Sequence, residues 1–258
     1  MKKIALVVLA VMSLVLTSCG KEKVVINGVA DLENKKIGVQ SGTTGEAWVQ
    51  ENVKGSKIAS FKSGIDAALD LKTGRIDAVV LDELPAKEIV AHNDDLTIIY
   101  DPVFTNSKEE YAIAIKKGNK ELLDNVNKTI DTLKANGEYD KLIQAFMPAD
   151  GNIVVPVAKD SSASKVIKLG TNAAFPPFEY IDGKSVAGFD IEMGRAIAET
   201  CGAKLEVVDM NFDSLIPALA SGAIDFIAAG MSVTEERKQN VDFSVPYFAS
   251  EQVIIIRK

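Results

Sequence analysis

Short apolar runs, each closed by a glycine or a capping hydroxyl, recur along this chain in the order strand, helix, strand, helix. Lys36-Ile37-Gly38-Val39 reads as a strand, and the Ser41-Gly42-Thr43-Thr44 turn after it offers hydroxyls to cap a helix starting near Glu46. Ala67 to Leu71 forms a helical face that ends at Gly74, and Ile76 to Leu81 is an apolar run of buried-strand length ending in Asp82-Glu83. The order then repeats. Val166 to Leu169 is a strand, Gly188 to Cys201 a helix, Leu205 to Val208 a strand, Leu215 to Ala220 a helix closed by Gly222, and Ile224 to Ala229 a buried strand. This alternation predicts parallel sheets with helices on both faces.

The repeat extends to detail: Leu71 to Asp82 aligns without a gap to Leu219 to Gly230, so that helix, Gly-x-Ile-Asp and strand occur twice. Chance could produce one such match, because glycine after a helix and aspartate before a strand are common punctuation. Two facing sheets of like topology account for it better than a single sheet. Between the two runs, Tyr111 to Ile115 is a strand leading into amphipathic helices over Lys120 to Ala135 and Tyr139 to Phe146. Pro148 to Ser164 lacks helical periodicity and reads as a linker, in which Ile153 to Val157 could pair as a strand.

At the N-terminus, Lys2 and Lys3 precede an apolar run from Ile4 to Leu16, which at 13 residues is short of a membrane span of ~20 and suits a signal segment. Leu16-Thr17-Ser18-Cys19 resembles the lipobox of a bacterial lipoprotein, in which Cys19 carries lipid and becomes the new N-terminus; an ordinary signal peptide with a chance cysteine is the plainer alternative. The expectation is an extracytoplasmic protein held to membrane lipid through Cys19. Cys201 would then be the only free thiol, leaving no intramolecular disulfide. Hydrophobic residues make up 47% of the chain, enough for one large core or two small ones. Asp+Glu 36 against Lys+Arg 29 makes it mildly acidic, and the absence of a basic stripe interleaved with aromatics disfavours nucleic acid as a partner.

Four segments in the late run carry a family likeness: GTNAAFPPFEY (Gly170 to Tyr180), GFDIEMGRAIA (Gly188 to Ala198), the stretch from Asn211 to Lys238, and VDFSVPYF (Val241 to Phe248). They resemble the first lobe of the polar-amino-acid solute-binding proteins of ABC importers, family 3. Asp31 to Ala47 and Gly74 to Glu83 resemble the second lobe of the same family. The resemblance implies an α/β, two-lobed periplasmic-binding-protein-like fold of type II, each lobe a mostly parallel sheet flanked by helices. It implies lobe two at 24–112, a returning strand and helices at 113–147, a linker at 148–164 and lobe one at 165–258, after a signal peptide at 1–19. In the family, lobe one comes first. Here the order is inverted, as in a circular permutation cut at the hinge, with one covalent crossover left where the family has two.

Ligands in open α/β sheets bind beyond the carboxyl ends of the strands, where Gln40 to Thr44, Asp82, Asn172 to Phe175 and Ala229 to Ser232 fall. An amino acid needs a forked cation and backbone N–H donors for its carboxylate and an anion for its ammonium. The resemblance assigns the carboxylate to Arg237, Ser232 and Thr44 and the ammonium to Asp82 and the Gly230 carbonyl. Arg237 could instead be one solvated charge of several in its segment, and Asp82 could merely cap the segment after its strand. Phe175 and Phe212 match positions that sandwich the ligand side chain, with Gln40, Asn172 and Ala229 beside them, and Phe175 rather than Phe178 is expected to face the cleft. Neutral Asn172 and Gln40 favour a glutamine-like ligand, although Glu179 could restore selectivity for a basic one.

Catalysis has little support in the residues. His92 sits in a polar loop, and no metal spacing, phosphate loop or nucleophile elbow is present. The same fold hosts periplasmic dehydratases, for which Glu179 or Glu235 would be the acid or base, and ligand sensors, whose membrane span has no counterpart after residue 16. The expected protein is a monomer without cofactor or metal that captures a free polar amino acid by hinge closure and passes it to membrane permease subunits. Exchange of lobes between two chains is the rival structural outcome if one strand alone tethers them.

Overall fold

The computed structural model describes residues 24–149, 151–156 and 163–258. The expected signal segment and Cys19 lie outside them, as does Val157. The early run comprises β1 (Lys36–Gln40), α1 (Thr44–Asn52), β2 (Lys57–Phe61), α2 (Gly64–Lys72), β3 (Ala78–Asp82), α3 (Glu83–Ala91) and β4 (Leu96–Ile99). A short α4 (Pro102–Thr105) and strands β5 (Glu109–Tyr111) and β6 (Ala114–Lys116) lead into α5 (Lys120–Ala135) and α6 (Glu138–Phe146). The late run begins with β7 (Val166–Thr171), β8 (Ala174–Phe175), β9 (Glu179–Asp182), β10 (Ser185–Ala187), α7 (Phe189–Thr200) and β11 (Lys204–Asp209). It ends with α8 (Leu215–Ser221), β12 (Phe226–Ile227), α9 (Glu235–Lys238), β13 (Val241–Phe243), β14 (Phe248–Ser250) and β15 (Gln252–Arg257).

Among the described residues the strands form two five-stranded sheets, ordered β2-β1-β3-β15-β4 and β11-β7-β12-β6-β13. In each, the three leading strands run parallel and the fourth is antiparallel to both of its neighbours. This is the two-lobed α/β architecture that the alternating pattern predicts. The apolar run of β3 is buried at every position, as expected of a strand covered on both faces by helices. Thr43 caps α1 by accepting from the Glu46 amide at 3.3 Å, and Ser63 caps α2 by accepting from the Asp66 amide at 3.1 Å. On α5, Leu122, Val126 and Ile130 share one buried face at helical spacing.

The repeated Gly-x-Ile-Asp unit does the same work in both sheets. Asp77 Oδ2 accepts from the Lys36 amide at 2.9 Å at the start of β1, and Asp225 Oδ2 accepts from the Lys168 amide at 2.7 Å in β7. Ile76 and Ile224 lie over glycines of those strands: a Cβ on Gly38 would stand 2.5 Å from Ile76 Cδ1, and one on Gly170 2.2 Å from Ile224 Cδ1. Each aspartate therefore fixes the edge of a strand whose glycine admits the neighbouring isoleucine.

Two expectations are corrected. β15, assigned by sequence to the late lobe, lies in the early sheet between β3 and β4, because its apolar residues Val253 to Ile255 complete that buried sheet. The chain therefore passes between the sheets twice, once at β5 and once at β14, and not by a single crossover. These two passages pair with each other, Tyr111 opposite Phe248, beneath an aromatic cluster in which the Tyr111 ring lies 5.2 Å from Phe178 and 5.9 Å from Phe248. Lobe exchange, expected only of a single tether, loses its basis. Second, Ile153 to Pro156 form no strand; Val154 donates its amide to Ala145 O at 2.9 Å and holds the segment against α6.

Candidate functional site

The carboxyl ends of β1 and β3 face those of β7 and β12 across a recess lined by Gln40, Thr43, Thr44, Asp82, Phe175, Glu179, Phe212, Ala229, Gly230, Ser232 and Arg237. Its walls stand close together, leaving about 10 Å³ for the centre of a water-sized sphere. Of the expected site residues, Asn172 alone does not line it. Asn172 is buried and accepts from Gln40 Nε2 at 2.9 Å while donating to Met210 O at 2.9 Å, so it reaches the recess only through Gln40. Phe175 lines the recess while Phe178 packs fully into the core, as the proline-flanked pair led us to expect.

Arg237 is held over the Phe212 ring, its guanidinium carbon 5.3 Å from the centroid. Nη1 donates to Ser232 O at 2.7 Å and Nη2 to Gly42 O at 3.0 Å, so the side chain ties the late lobe to the turn before α1. The side chain is therefore fixed by contacts on both lobes rather than exposed like the other charges of its segment. Thr44 opens α1, where backbone amides lack partners within the helix and the dipole favours an anion. Burial lowers the Arg237 pKa, and Glu109 and Asp82 act in the opposite direction.

Asp82 ends β3 and is buried. Its Oδ2 accepts from the Tyr111 hydroxyl and its Oδ1 from Gln252 Nε2 at 2.6 Å. It makes no side-chain cap to α3, which disposes of the bland role for it. Burial first and the Glu109 charge second raise its pKa to about 7, against the pull of Tyr111, Gln252 and Arg237. Glu179, buried in the recess wall, is held well above the usual carboxyl range by burial and then by Asp190. It shares a side-chain hydrogen bond with Asp190. Asp190 lies behind, accepting from the Gly230 amide at 2.8 Å and the Tyr247 hydroxyl at 2.7 Å, with burial raising it to about 6.

The sequence did not point to Glu109, Tyr111 or Gln252. Glu109 Oε2 accepts from Thr44 Oγ1 at 2.7 Å and from Ser232 Oγ, and its Oε1 accepts from Gln252 Nε2 at 3.3 Å. The signal was the alternation of Glu109 with Tyr111 on one face of β5, and the polar Gln252 heading the apolar run of β15. Glu235 is exposed and paired with Lys238 at 2.7 Å, away from the recess, so it is not the cleft acid the enzyme alternative required. His92 is exposed at the end of α3.

Residues 167–258 match the model of the bacterial extracellular solute-binding proteins, family 3. The chain is 43% identical over 97 residues to the arginine-binding extracellular protein ArtP of Bacillus subtilis strain 168, covering 38% of each chain. It is 40% identical over 102 residues to a probable histidine-binding protein of Neisseria gonorrhoeae, covering 39% of this chain and 38% of that one. Among solved structures it is similar to the arginine-bound form of domain 1 from TmArgBP, at 39% identity over 40% of this chain and 87% of that one, with a TM-score of 0.33. The chain thus spans about two fifths of the length of the curated relatives named. The likeness to the family 3 bacterial extracellular solute-binding proteins is thus carried by residues 167–258.

Proposed function

We propose that the protein captures a basic amino acid of the arginine type in the recess between its lobes and delivers it to the membrane subunits of an ABC importer. The observation that carries this reading is Glu179: an acidic side chain in the recess wall, hydrogen-bonded to Asp190 behind it, whose ionised form a guanidinium or ammonium entering the recess would favour. Asn172 and Gln40, on which the glutamine preference rested, bond to each other. The arginine- and histidine-binding names of the relatives support the same direction. Arg237, with Thr44 and Ser232, is suited to the ligand carboxylate, Asp82 and the Gly230 carbonyl to its ammonium, and Phe175 and Phe212 to the apolar part of its side chain. Binding alone is the activity proposed.

The segment order supports a permuted version of this family. Residues resembling lobe two precede those resembling lobe one, and β15 returns to complete the first sheet. Both inter-lobe passages are retained, so hinge closure has the two strands it requires. Lipid attachment at Cys19 and residence outside the cytoplasm belong to the same proposal.

Calorimetric titration of the full chain with arginine, lysine, histidine and glutamine tests it. Arginine is expected to bind, and Glu179→Gln to weaken it by about 10- to 100-fold, the loss of a hydrogen bond to a charged group. Binding of glutamine in preference to arginine, or no heat with any of the twenty amino acids, would overturn the reading.

A further inference from the structure

We propose that Glu109 is a tethered competitor for the ligand's carboxylate, occupying the place that Thr44, Ser232 and Arg237 offer to it, so that an entering amino acid must displace it. The proposal rests on the amino-acid reading for its consequence but not for its geometry. A carboxylate seeks several donors on its two oxygens, and Glu109 finds the Thr44 hydroxyl at 2.7 Å, the Ser232 hydroxyl, and Gln252 Nε2 at 3.3 Å. Thr44 and Ser232 stand on opposite lobes, one at the start of α1 and the other after β12. A single carboxylate oxygen therefore bridges the cleft, at the helix end where an anion is favoured. Arg237 and Glu109 attract each other through their opposite charges.

The position of Glu109 in the chain gives the contact its meaning. It sits on β5, one of the two strands passing between the lobes, opposite Ser250 of β14. An anion mounted there is delivered to the cleft by the inter-lobe passage itself, at the high effective concentration of an intramolecular group. Apparent ligand affinity is reduced by the fraction of molecules in which Glu109 holds the place. Its neighbour Asp82 is on the same side of the cleft, so the side chain also sets two carboxyls close together until one is displaced or neutralised.

Glu109→Ala in the full chain tests this with two probes. Sodium acetate should enter the position left by the side chain and raise the melting temperature of the variant by several degrees over equal sodium chloride, leaving the wild type unmoved. L-Arginine should bind the variant about tenfold more tightly than the wild type, as expected if Glu109 holds the place in about nine molecules of ten. A folded variant that ignores acetate, or that binds arginine more weakly than the wild type, would show Glu109 to be a structural tie and overturn the proposal. Acetate rescue without arginine binding by either protein would uphold the role of Glu109 and sink the basic amino-acid reading instead. Should Glu109→Ala fail to fold, Glu109→Gln keeps the side chain's size, and the same gain in arginine affinity is required of it.

Discussion

Gln40 Nε2 donates to Asn172 Oδ1 at 2.9 Å, joining the carboxyl end of β1 in one lobe to that of β7 in the other. Both residues are buried, and Gln40 Oε1 has no partner of its own. Asn172→Leu would leave the Gln40 amide without its strongest acceptor, since the remaining contact to Lys62 O is long at 3.4 Å. An unsatisfied buried donor costs about 1–3 kcal/mol. Urea unfolding should therefore show a lower midpoint with an unchanged slope. A midpoint equal to the wild type would mean that the pair contributes nothing to lobe closure.

Asp82 and Asp190 give the protein a pH dependence opposite in sign to that of an ordinary carboxylate. Their pKa values stand raised, to about 7 and about 6, from the 3.8 of a free aspartate. The folded chain thus binds their protons more tightly than the unfolded chain does. Their contribution to stability is complete below about pH 4 and is lost as pH rises through about 6 and about 7. For Asp82 the difference corresponds to an upper limit of about 4 kcal/mol. Melting temperatures measured across about pH 4.5 to 7.5 should show this loss, flattened in Asp82→Asn. A ligand ammonium favours the ionised form, so binding near neutral pH should release a proton, measurable as a dependence of calorimetric heat on the buffer's ionisation enthalpy.

Gly230 is a backbone position that no side chain fits. Its φ of +52° is left-handed, and an added Cβ would stand 2.6 Å from Phe175 Cε1. Its amide also donates to Asp190 at 2.8 Å, which prevents an easy shift of the chain. Gly230→Ala should cost about 2 kcal/mol of stability from backbone strain and displacement of the Phe175 ring. Ligand affinity should fall with it, because Phe175 lines the recess. A thermal scan and a titration of the same variant check both effects, and an unchanged affinity would remove Phe175 from the binding wall.

What could be read in advance was local chemistry. The Gly-x-Ile-Asp repeat was visible because each copy carries its own reason, an aspartate for a strand amide and an isoleucine for a glycine, within one short stretch. Asp82 and Thr44 stand at or just after strand ends and Arg237 further along the segment that follows one, but their roles came from the family resemblance and not from that position. Glu109 and Gln252 were not found, because their role depends on which sheet β5 and β15 cross into, and pairing between distant strands leaves no periodic mark. The same cause explains the misplaced β15: its run of Val253 to Ile256 reads as a buried strand but carries no sign of which sheet it completes. Asn172 was placed correctly at a strand end, yet its side chain was consumed by Gln40, a partner 132 residues away.

Arg237 is expected to be irreplaceable by lysine. Its two terminal nitrogens reach Ser232 O at 2.7 Å and Gly42 O at 3.0 Å in different directions, and the planar group lies over Phe212. An ammonium is a point charge that can keep the sign but not the fork or the stacking. Arg237→Lys should therefore weaken arginine binding by about 100-fold, roughly 2.7 kcal/mol, while Arg237→Ala should abolish it. Stability is a separate matter, because in both variants the lost bonds to carbonyls on the two lobes can be replaced by water at the mouth of the recess. Calorimetry and thermal scans run side by side should thus show a large loss of affinity with a small change in melting temperature. Equal affinity for Arg237→Lys would mean that the ligand carboxylate is held without the fork, by Thr44 and Ser232 alone.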